Sequence, residues 1–381
     1  LPDDATTPLR DLARLFLRLG TTAFGGPAAH IALMEHEVVR RRGWLTREQF
    51  LDYLGATTLI PGPNSTELAI HIGHARAGWP GLLVAGLSFI VPATVIVGAA
   101  AWAYVRYGTL PGAEALLYGV KPVVIAIVGQ ALWGLGRTAV RSVPLALVGL
   151  LAVAAAFAGV HELVVLGGAG LAMAALRCAT GARAVGALLL SVAAGSPGAA
   201  AALAAPATAP VGLWTLFLVL AKAGAVLFGS GYVLLAFLRA DLVERLGWLT
   251  EQQLLDAIAV GQVTPGPVFT TATFIGWVLA GPQGAAVATI GIFLPAFVFV
   301  ALSGPIVPRI RQSAVAGAVL DGVNVASLAL MVVVSWQLGR AALVDPLTLG
   351  LAIASLIALL RFRVNSAWLI LAGGALGWVA R

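Results

Sequence analysis

Charge is what this sequence lacks most. Only 10% of its 381 residues are Asp, Glu, Lys or Arg, against about 25% in soluble domains. A globule of this size could not stay dissolved behind so few charged side chains. Cysteine occurs once, as Cys178, which excludes an internal disulfide and a cysteine-built metal cluster. The only lysines are Lys121 and Lys222, and neither lies in a G-x-x-x-x-G-K-[ST] loop. The chain therefore has no ATP-hydrolysing loop of its own. Strand-like alternation is essentially missing, as are G-x-S-x-G, H-E-x-x-H and dinucleotide fingerprints. No cleavable signal peptide is expected, because Leu1 to Arg14 is polar and no processing site follows the first apolar run.

What the sequence has instead is apolar length. Apolar residues make up 60% of the chain. Ala77 to Val105 (29 residues), Ala184 to Ala221 (38) and Ala257 to Pro308 (52) contain no Asp, Glu, Lys or Arg. About 20 apolar residues cross the hydrocarbon core as a helix, so the expectation is an all-α polytopic membrane protein with about 10–12 membrane helices. The net charge, 23 − 16 = +7, reads as topology charge at the ends of apolar runs and not as a nucleic-acid footprint.

The chain repeats itself. Gly43-Trp44-Leu45-Thr46 recurs as Gly247-Trp248-Leu249-Thr250, an offset of 247 − 43 = 204. The same offset pairs Gly20 with Gly224, Phe24-Gly25 with Phe228-Gly229, Asp52 with Asp256, and Pro61-Gly62-Pro63 with Pro265-Gly266-Pro267. Ten of 21 positions are identical between 43–63 and 247–267, and Pro92 and Pro295 match after a one-residue slip. Two homologous units are expected, 1–183 and 213–381, joined by 184–212. In each, an apolar helix (12–35, 216–239) is interrupted at Phe24-Gly25-Gly26-Pro27 or Phe228-Gly229-Ser230-Gly231. A helix opened by Thr46-x-x-Gln49 or Thr250-x-x-Gln253 follows, at capping-box spacing. It ends at Pro-Gly-Pro, because proline lacks an amide donor and disfavours helix before it. A half-length helix (64–77, 268–280) comes next, then long spans (81–105 and 114–138; 284–304 and 314–339) and two shorter apolar segments. Arg40, Arg41, Arg42 and Arg47 in the first unit face only Glu48, whereas Arg239 and Arg245 face Asp241, Glu244 and Glu251. Positive loops stay cytoplasmic, so the units are expected to be inverted repeats.

Backbone breaks inside a bilayer persist where they line a cavity or bind something. The half-helix after Pro63 begins Asn64, Ser65, Thr66; that after Pro267 carries Thr270, Thr271 and Thr273 and is preceded by Gln262 and Thr264. Helix-start amides with small hydroxyl and carboxamide donors suit a divalent oxyanion, although a proline kink with helix-stabilising hydroxyls reads the same way. Lys222 stands alone in an uncharged membrane run, and its repeat mate is Arg18; ionisable groups there are functional candidates by default. Two such cations could flank one anion, or could snorkel from helix ends. Glu67, His71 and His74 share one helix face. They fit a proton relay through Glu67 and His71, a zinc site of a membrane-embedded enzyme, or a wet cavity wall. His30, and Tyr232 at a similar place in the second unit, could donate to an anion.

The doubled motifs Phe24-Gly25-Gly26-Pro27-Ala28-Ala29-His30, Gly43-Trp44-Leu45-Thr46 and Pro61-Gly62-Pro63-Asn64-Ser65-Thr66-Glu67, with Phe228-Gly229-Ser230-Gly231-Tyr232 and Gln262-Val263-Thr264-Pro265-Gly266-Pro267, resemble the chromate ion transporters in their long bacterial form. The resemblance implies a multi-pass bacterial inner-membrane protein that expels chromate without ATP and confers resistance. It implies no cofactor. Combined with the breaks, it gives a secondary oxyanion transporter working by alternating access, with chromate held by the helix starts, Lys222 and Arg18. Sulfate has the same shape and charge and remains an alternative, as does a passive channel. The apolar flanks permit a homodimer in the lipid bilayer.

Overall fold

The computed structural model describes residues 7–24, 26–108, 110–178, 211–228, 233–362 and 364–380. Gly25, Gly229, Ser230, Gly231, Tyr232 and the connecting run 184–204 lie outside the described residues. Among those described there are fourteen helices and no strand.

The first unit opens with α1 (Leu9–Thr22) and α2 (Gly26–Glu35), the two halves of the interrupted helix. Leu12, Leu15, Phe16 and Leu19 bury one face of α1 at the 3.6-residue period. α2 runs on into a π-helical turn, His36–Arg41, that sequence periodicity did not announce. α3 (Arg47–Thr57) starts at the expected capping box. The Gln49 amide donates to Thr46 Oγ1 at 3.2 Å, and the Thr46 amide donates to Gln49 Oε1 at 2.9 Å.

α4 (Asn64–Tyr107) is two helices and not one. Ala77 (φ −148°, ψ 24°) and Gly78 (φ 59°, ψ −146°) leave the helical region, and Gly78 adopts a conformation that only glycine takes without strain. The second arm folds back on the first: a side chain at Gly73 would collide with the Gly81 carbonyl and with Ala85. The half-helix expected at 64–77 thus ends where the sequence placed its end. α5 (Pro111–Ala139), α6 (Val143–Phe157) and α7 (Glu162–Cys178) complete the unit.

The second unit repeats this plan. α8 (Leu213–Val226) and α9 (Leu234–Leu238) are the broken helix, and α9 continues into a π-helical turn, Arg239–Arg245. α10 (Glu251–Val263) carries the second capping box. A single 3-10 turn, Val268–Thr270, leads into α11 (Thr271–Gln312), which reverses at Ala280 (φ −147°, ψ 28°) and Gly281 (φ 60°, ψ −150°). α12 (Ala314–Ala342), α13 (Pro346–Arg361) and α14 (Ser366–Ala380) follow.

The units interlock. α5 packs against α13 and α14 of the other unit, and α12 packs against α6 and α7. Glycine permits the approach in both places: Gly119 meets the Gly373 carbonyl, and Gly322 meets the Ala169 carbonyl. Among the described residues, four helical stretches are long and apolar enough to cross a membrane: Asn64–Tyr107, Gly112–Ala139, Val268–Ser303 and Ala314–Ala342. Val143–Phe157, Leu213–Val226, Pro346–Arg361 and Ser366–Ala380 are apolar but shorter. At 1.5 Å per residue, about 15 residues reach little over 20 Å, less than the roughly 30 Å core. Trp79, Trp133, Trp214, Trp336, Trp368 and Trp378 are exposed together with many aliphatic side chains, as a lipid-facing surface requires.

Candidate functional site

The two Pro-Gly-Pro turns are tied to each other's units. The Gly62 amide donates to the Leu227 carbonyl at 2.7 Å, and the Gly266 amide donates to the Ala23 carbonyl at 3.0 Å. Ala23 and Leu227 are themselves repeat mates, each capping the first half of a broken helix. Both glycines have positive φ, 140° at Gly62 and 90° at Gly266. A Cβ at Gly266 would lie 2.6 Å from that of Ala93, and one at Gly62 would strike the Glu67 carboxyl. These two amides are therefore spent on the partner unit. Anion donors at the turns must come from the residues that follow, Asn64 and Ser65 at the start of α4, whose amides have no intrahelical acceptor.

Around the first turn the side chains are polar and unsatisfied. His30 bridges the break: Nε2 lies 3.1 Å from the Ala23 carbonyl and Nδ1 lies 3.3 Å from Ser65 Oγ. A carbonyl can only accept, so Nε2–H donates, and in the neutral ring Nδ1 accepts from the Ser65 hydroxyl. Thr66 Oγ1, both Glu67 carboxyl oxygens and His71 Nε2 are buried with no hydrogen-bond partner among the described residues. The His71 ring stacks on Tyr53 at 5.6 Å between centroids. On its other side the turn meets a cavity of about 490 Å³, lined among others by Thr58, Asn64, Arg141, Phe228, Asp321 and Asn324. Arg141 pairs with Asp321 at 3.2 Å, and Asn324 Oδ1 has no partner.

Around the second turn the same backbone carries hydrogen-bonded threonine hydroxyls. Thr270 and Thr271 hydroxyls donate to the Pro267 and Val268 carbonyls, each at 2.8 Å. Thr264 Oγ1 donates to Val260 at 3.0 Å, and Thr273 pairs with Thr289 at 2.8 Å. Gln262 is buried beside them. Pro61, Pro63, Pro265 and Pro267 shape the turns, and Gly26 (φ 75°) starts α2.

Lys222 and Arg18 are held by carboxylates. Lys222 Nζ lies 3.0 Å from Glu162 and 2.5 Å from Asp241, and Arg245 adds a second cation to Asp241 at 2.9 Å. Arg18 lies 2.5 Å from Glu37, which also pairs with Arg41 at 3.1 Å. Burial pushes the Glu37 carboxyl up, but Arg18 and Arg41 outweigh it and hold it below its ordinary value. Each lock joins the first half of a broken helix to its π-helical turn. The cation-to-acid spacing is the same in both, 37 − 18 = 19 and 241 − 222 = 19. That spacing was the signal in the sequence; the Glu162 arm, from α7, had none.

Sequence reasoning also passed over Lys121. It pairs with Asp256 at 3.1 Å and donates to Gln252 at 2.7 Å, and Tyr104 donates to Asp256 at 2.8 Å. This cluster lines a second cavity, of about 650 Å³. With the one-residue slip its repeat mate is Asn324 in the other cavity, 324 − 121 = 203. A zinc site on Glu67, His71 and His74 finds no support: among the described residues no three His, Cys, Asp or Glu side chains gather as ligands, and His74 turns to Trp79.

Comparison with known proteins agrees with this layout. The chromate transporter family matches residues 10–175 and 214–378, once per unit. A chromate transport protein of Cupriavidus metallidurans is 33% identical over 376 residues, covering 97% of this chain and 92% of the relative. One from Pseudomonas aeruginosa is 34% identical over 382 residues, covering 96% and 90%. An uncharacterized transporter of Bacillus subtilis, YwrA, is 30% identical over 120 residues, covering 32% of this chain and 67% of its own. No solved structure matches.

Proposed function

The chain belongs to the chromate transporter family, and we propose that it exports chromate from the cytoplasm across the bacterial inner membrane by alternating access, so conferring resistance. The observation that carries this reading is the reciprocal pair of Pro-Gly-Pro bonds, Gly62 to Leu227 and Gly266 to Ala23. Each unit's half-helix is anchored on the broken helix of the other, so a shift of one unit moves both helix starts together. The first of those starts opens on a cavity between the units. Amides of Asn64 and Ser65, with the Asn324 carboxamide, supply donors for a tetrahedral dianion, and Arg141 adds a cation to it by exchanging Asp321 for the anion. Lys222 and Arg18 reach the anion in this reading only by exchanging partners with Asp241, Glu162 and Glu37, so they bear first on the balance between states. The units are inverted in the bilayer, and the exposed apolar flanks accommodate a homodimer.

The test is flux in proteoliposomes under an imposed membrane potential. Labelled chromate should move, unlabelled chromate on the far side should speed it, and sulfate should compete in proportion to its own use as substrate. Lack of trans-stimulation would make the protein a channel. Lys222→Ala should lower chromate affinity; unchanged flux would remove Lys222 from the cycle. In a Cys178→Ala background, cysteines placed at Arg42 and Glu244 should label from opposite sides, and same-side labelling would end the inverted arrangement.

A further inference from the structure

The mechanism so far leaves one group unused. Glu67 is fully enclosed, and neither carboxyl oxygen has a hydrogen-bond partner among the described residues. Its carboxyl lies against Gly62, one turn from the helix start offered to the anion. Enclosing an ionised carboxylate without a cation or donor costs several kcal/mol, and a protonated carboxyl escapes most of that. Thr66 and His71, buried and unpartnered beside it, lie on the same helix arm.

No nearby charge relieves Glu67. Its own arm brings His71, His74 and Arg76, the last bonded to Thr7 and to the Trp44 carbonyl. α3 brings Tyr53, stacked on His71, with Asp52 next in sequence, and α2 brings His30, which is bonded to Ser65. α1 carries Arg10, Asp11, Arg14 and Arg18, the last held by Glu37. α10 carries Asp256, held by Lys121 and Tyr104. α11 has no ionisable side chain over 271–303. In the second unit the position of Glu67 is taken by Thr271, whose hydroxyl is satisfied by its own backbone, so the group is specific to the first unit.

We propose that Glu67 is the proton-binding site of the transport cycle, and that its proton and the dianion at the α4 helix start bind together and move in the same direction. An ionised Glu67 would repel a dianion one turn away and compete for the same amides; the neutral acid does neither. His71, on the same helix face and stacked under Tyr53, is the group through which the proton enters and leaves. The bond that breaks is the Glu67 O–H, and the proton passes to His71 or to water without any redox change.

This rests on the proposed anion site, and the test separates the two. Purified protein in weak buffer above neutral pH, where chromate is fully deprotonated, is mixed with chromate while a pH dye is read. Over a series of pH values wild type should take up protons as the anion binds, none where free Glu67 already carries its proton and approaching one per anion where it has ionised. Glu67→Gln, which mimics the neutral acid, should still bind chromate, and its exchange rate is read against wild type. It should take up no proton, and a pH gradient should change its flux less than twofold. Proton uptake unchanged in Glu67→Gln overturns the proposal, as does anion binding by wild type without proton uptake at any pH in the series. Loss of chromate binding in Glu67→Gln also overturns it, because the neutral mimic should suffice. If wild type neither binds nor moves chromate, the anion-site reading itself has failed.

Discussion

The two Pro-Gly-Pro regions share one backbone and carry opposite side-chain chemistry. Both turns donate a glycine amide across to the other unit, both precede a helix arm that reverses at an Ala-Gly pair, and both sit beside a cation–carboxylate lock. Yet the positions of His30, Ser65, Glu67 and His71 are occupied in the second unit by Leu234, Phe269, Thr271 and Ile275. The Thr66 hydroxyl is unpartnered, whereas that of its mate Thr270 is bonded to Pro267. The locks differ too: Asp241 is enclosed between Lys222 and Arg245, whereas Glu37 faces the more exposed Arg18 and Arg41. Duplication supplied a symmetric backbone; the divergence that followed set Thr66, Glu67 and His71 beside the first turn and self-bonded threonine hydroxyls beside the second.

That contrast can be broken or sharpened in four ways, the largest effect first. If the scaffold is truly symmetric, Gly73→Val and Gly276→Val should be equally severe. Each side chain would strike the facing arm of its own hairpin, at Gly81 or Gly284, and overpacking of about 3 kcal/mol is expected. Yield of monodisperse protein and thermal unfolding read this, and an unequal response would break the symmetry. Next, Asp241→Asn should cost about 2 kcal/mol, because it removes the enclosed carboxylate shared by Lys222 and Arg245 and leaves Lys222 to Glu162 alone. Glu37→Gln, whose cationic partners are largely exposed, should cost about 1 kcal/mol. Equal costs would mean the two locks are equivalent.

A crossed pair of threonines separates chemistry from packing. Thr270→Val should cost about 1 kcal/mol of stability by removing a satisfied hydrogen bond, with flux kept. Thr66→Val should leave stability unchanged and slow chromate flux about tenfold, equivalent to about 1.4 kcal/mol on the barrier. The reverse pattern would place the site in the second unit. The smallest effect is at the surface. Asp345 caps α13, and its carboxyl is held below the usual range by the Thr348 amide, with Tyr118 adding a second donor. Its stabilising contribution is therefore present above the ordinary Asp pKa of about 3.9 and is lost as pH falls through the lower native value. The equivalent cap in the first unit, Ser142, makes no side-chain bond. Asp345→Asn should flatten the acid side of the unfolding curve, whereas Ser142→Ala should not move it.

Much of the chain plan was legible because it is written in local chemistry. Proline and glycine interrupt helices where they stand, so Phe24 to Pro27, Pro61 to Pro63 and the half-helix ending near Ala77 follow from the sequence, as do both capping boxes. The partners of those elements were not legible. Lys222 looked free to meet an anion, because Glu162 lies sixty residues away on a helix of the other unit, and no periodicity links the two. Lys121 and Asp256, on different units, meet only because α5 packs against α10.

The amino-acid order alone determined membrane residence, duplication, the positions of the breaks and the identity of the polar residues at them, since each depends on hydrophobic length or on the backbone restrictions of proline and glycine. Tertiary structure decided which amides are spent and which carboxylates pair, and it left Glu67 enclosed without a hydrogen-bond partner among the described residues. Those outcomes depend on the close approach of helices far apart in the chain, which is set by packing of the whole bundle and not by any local preference.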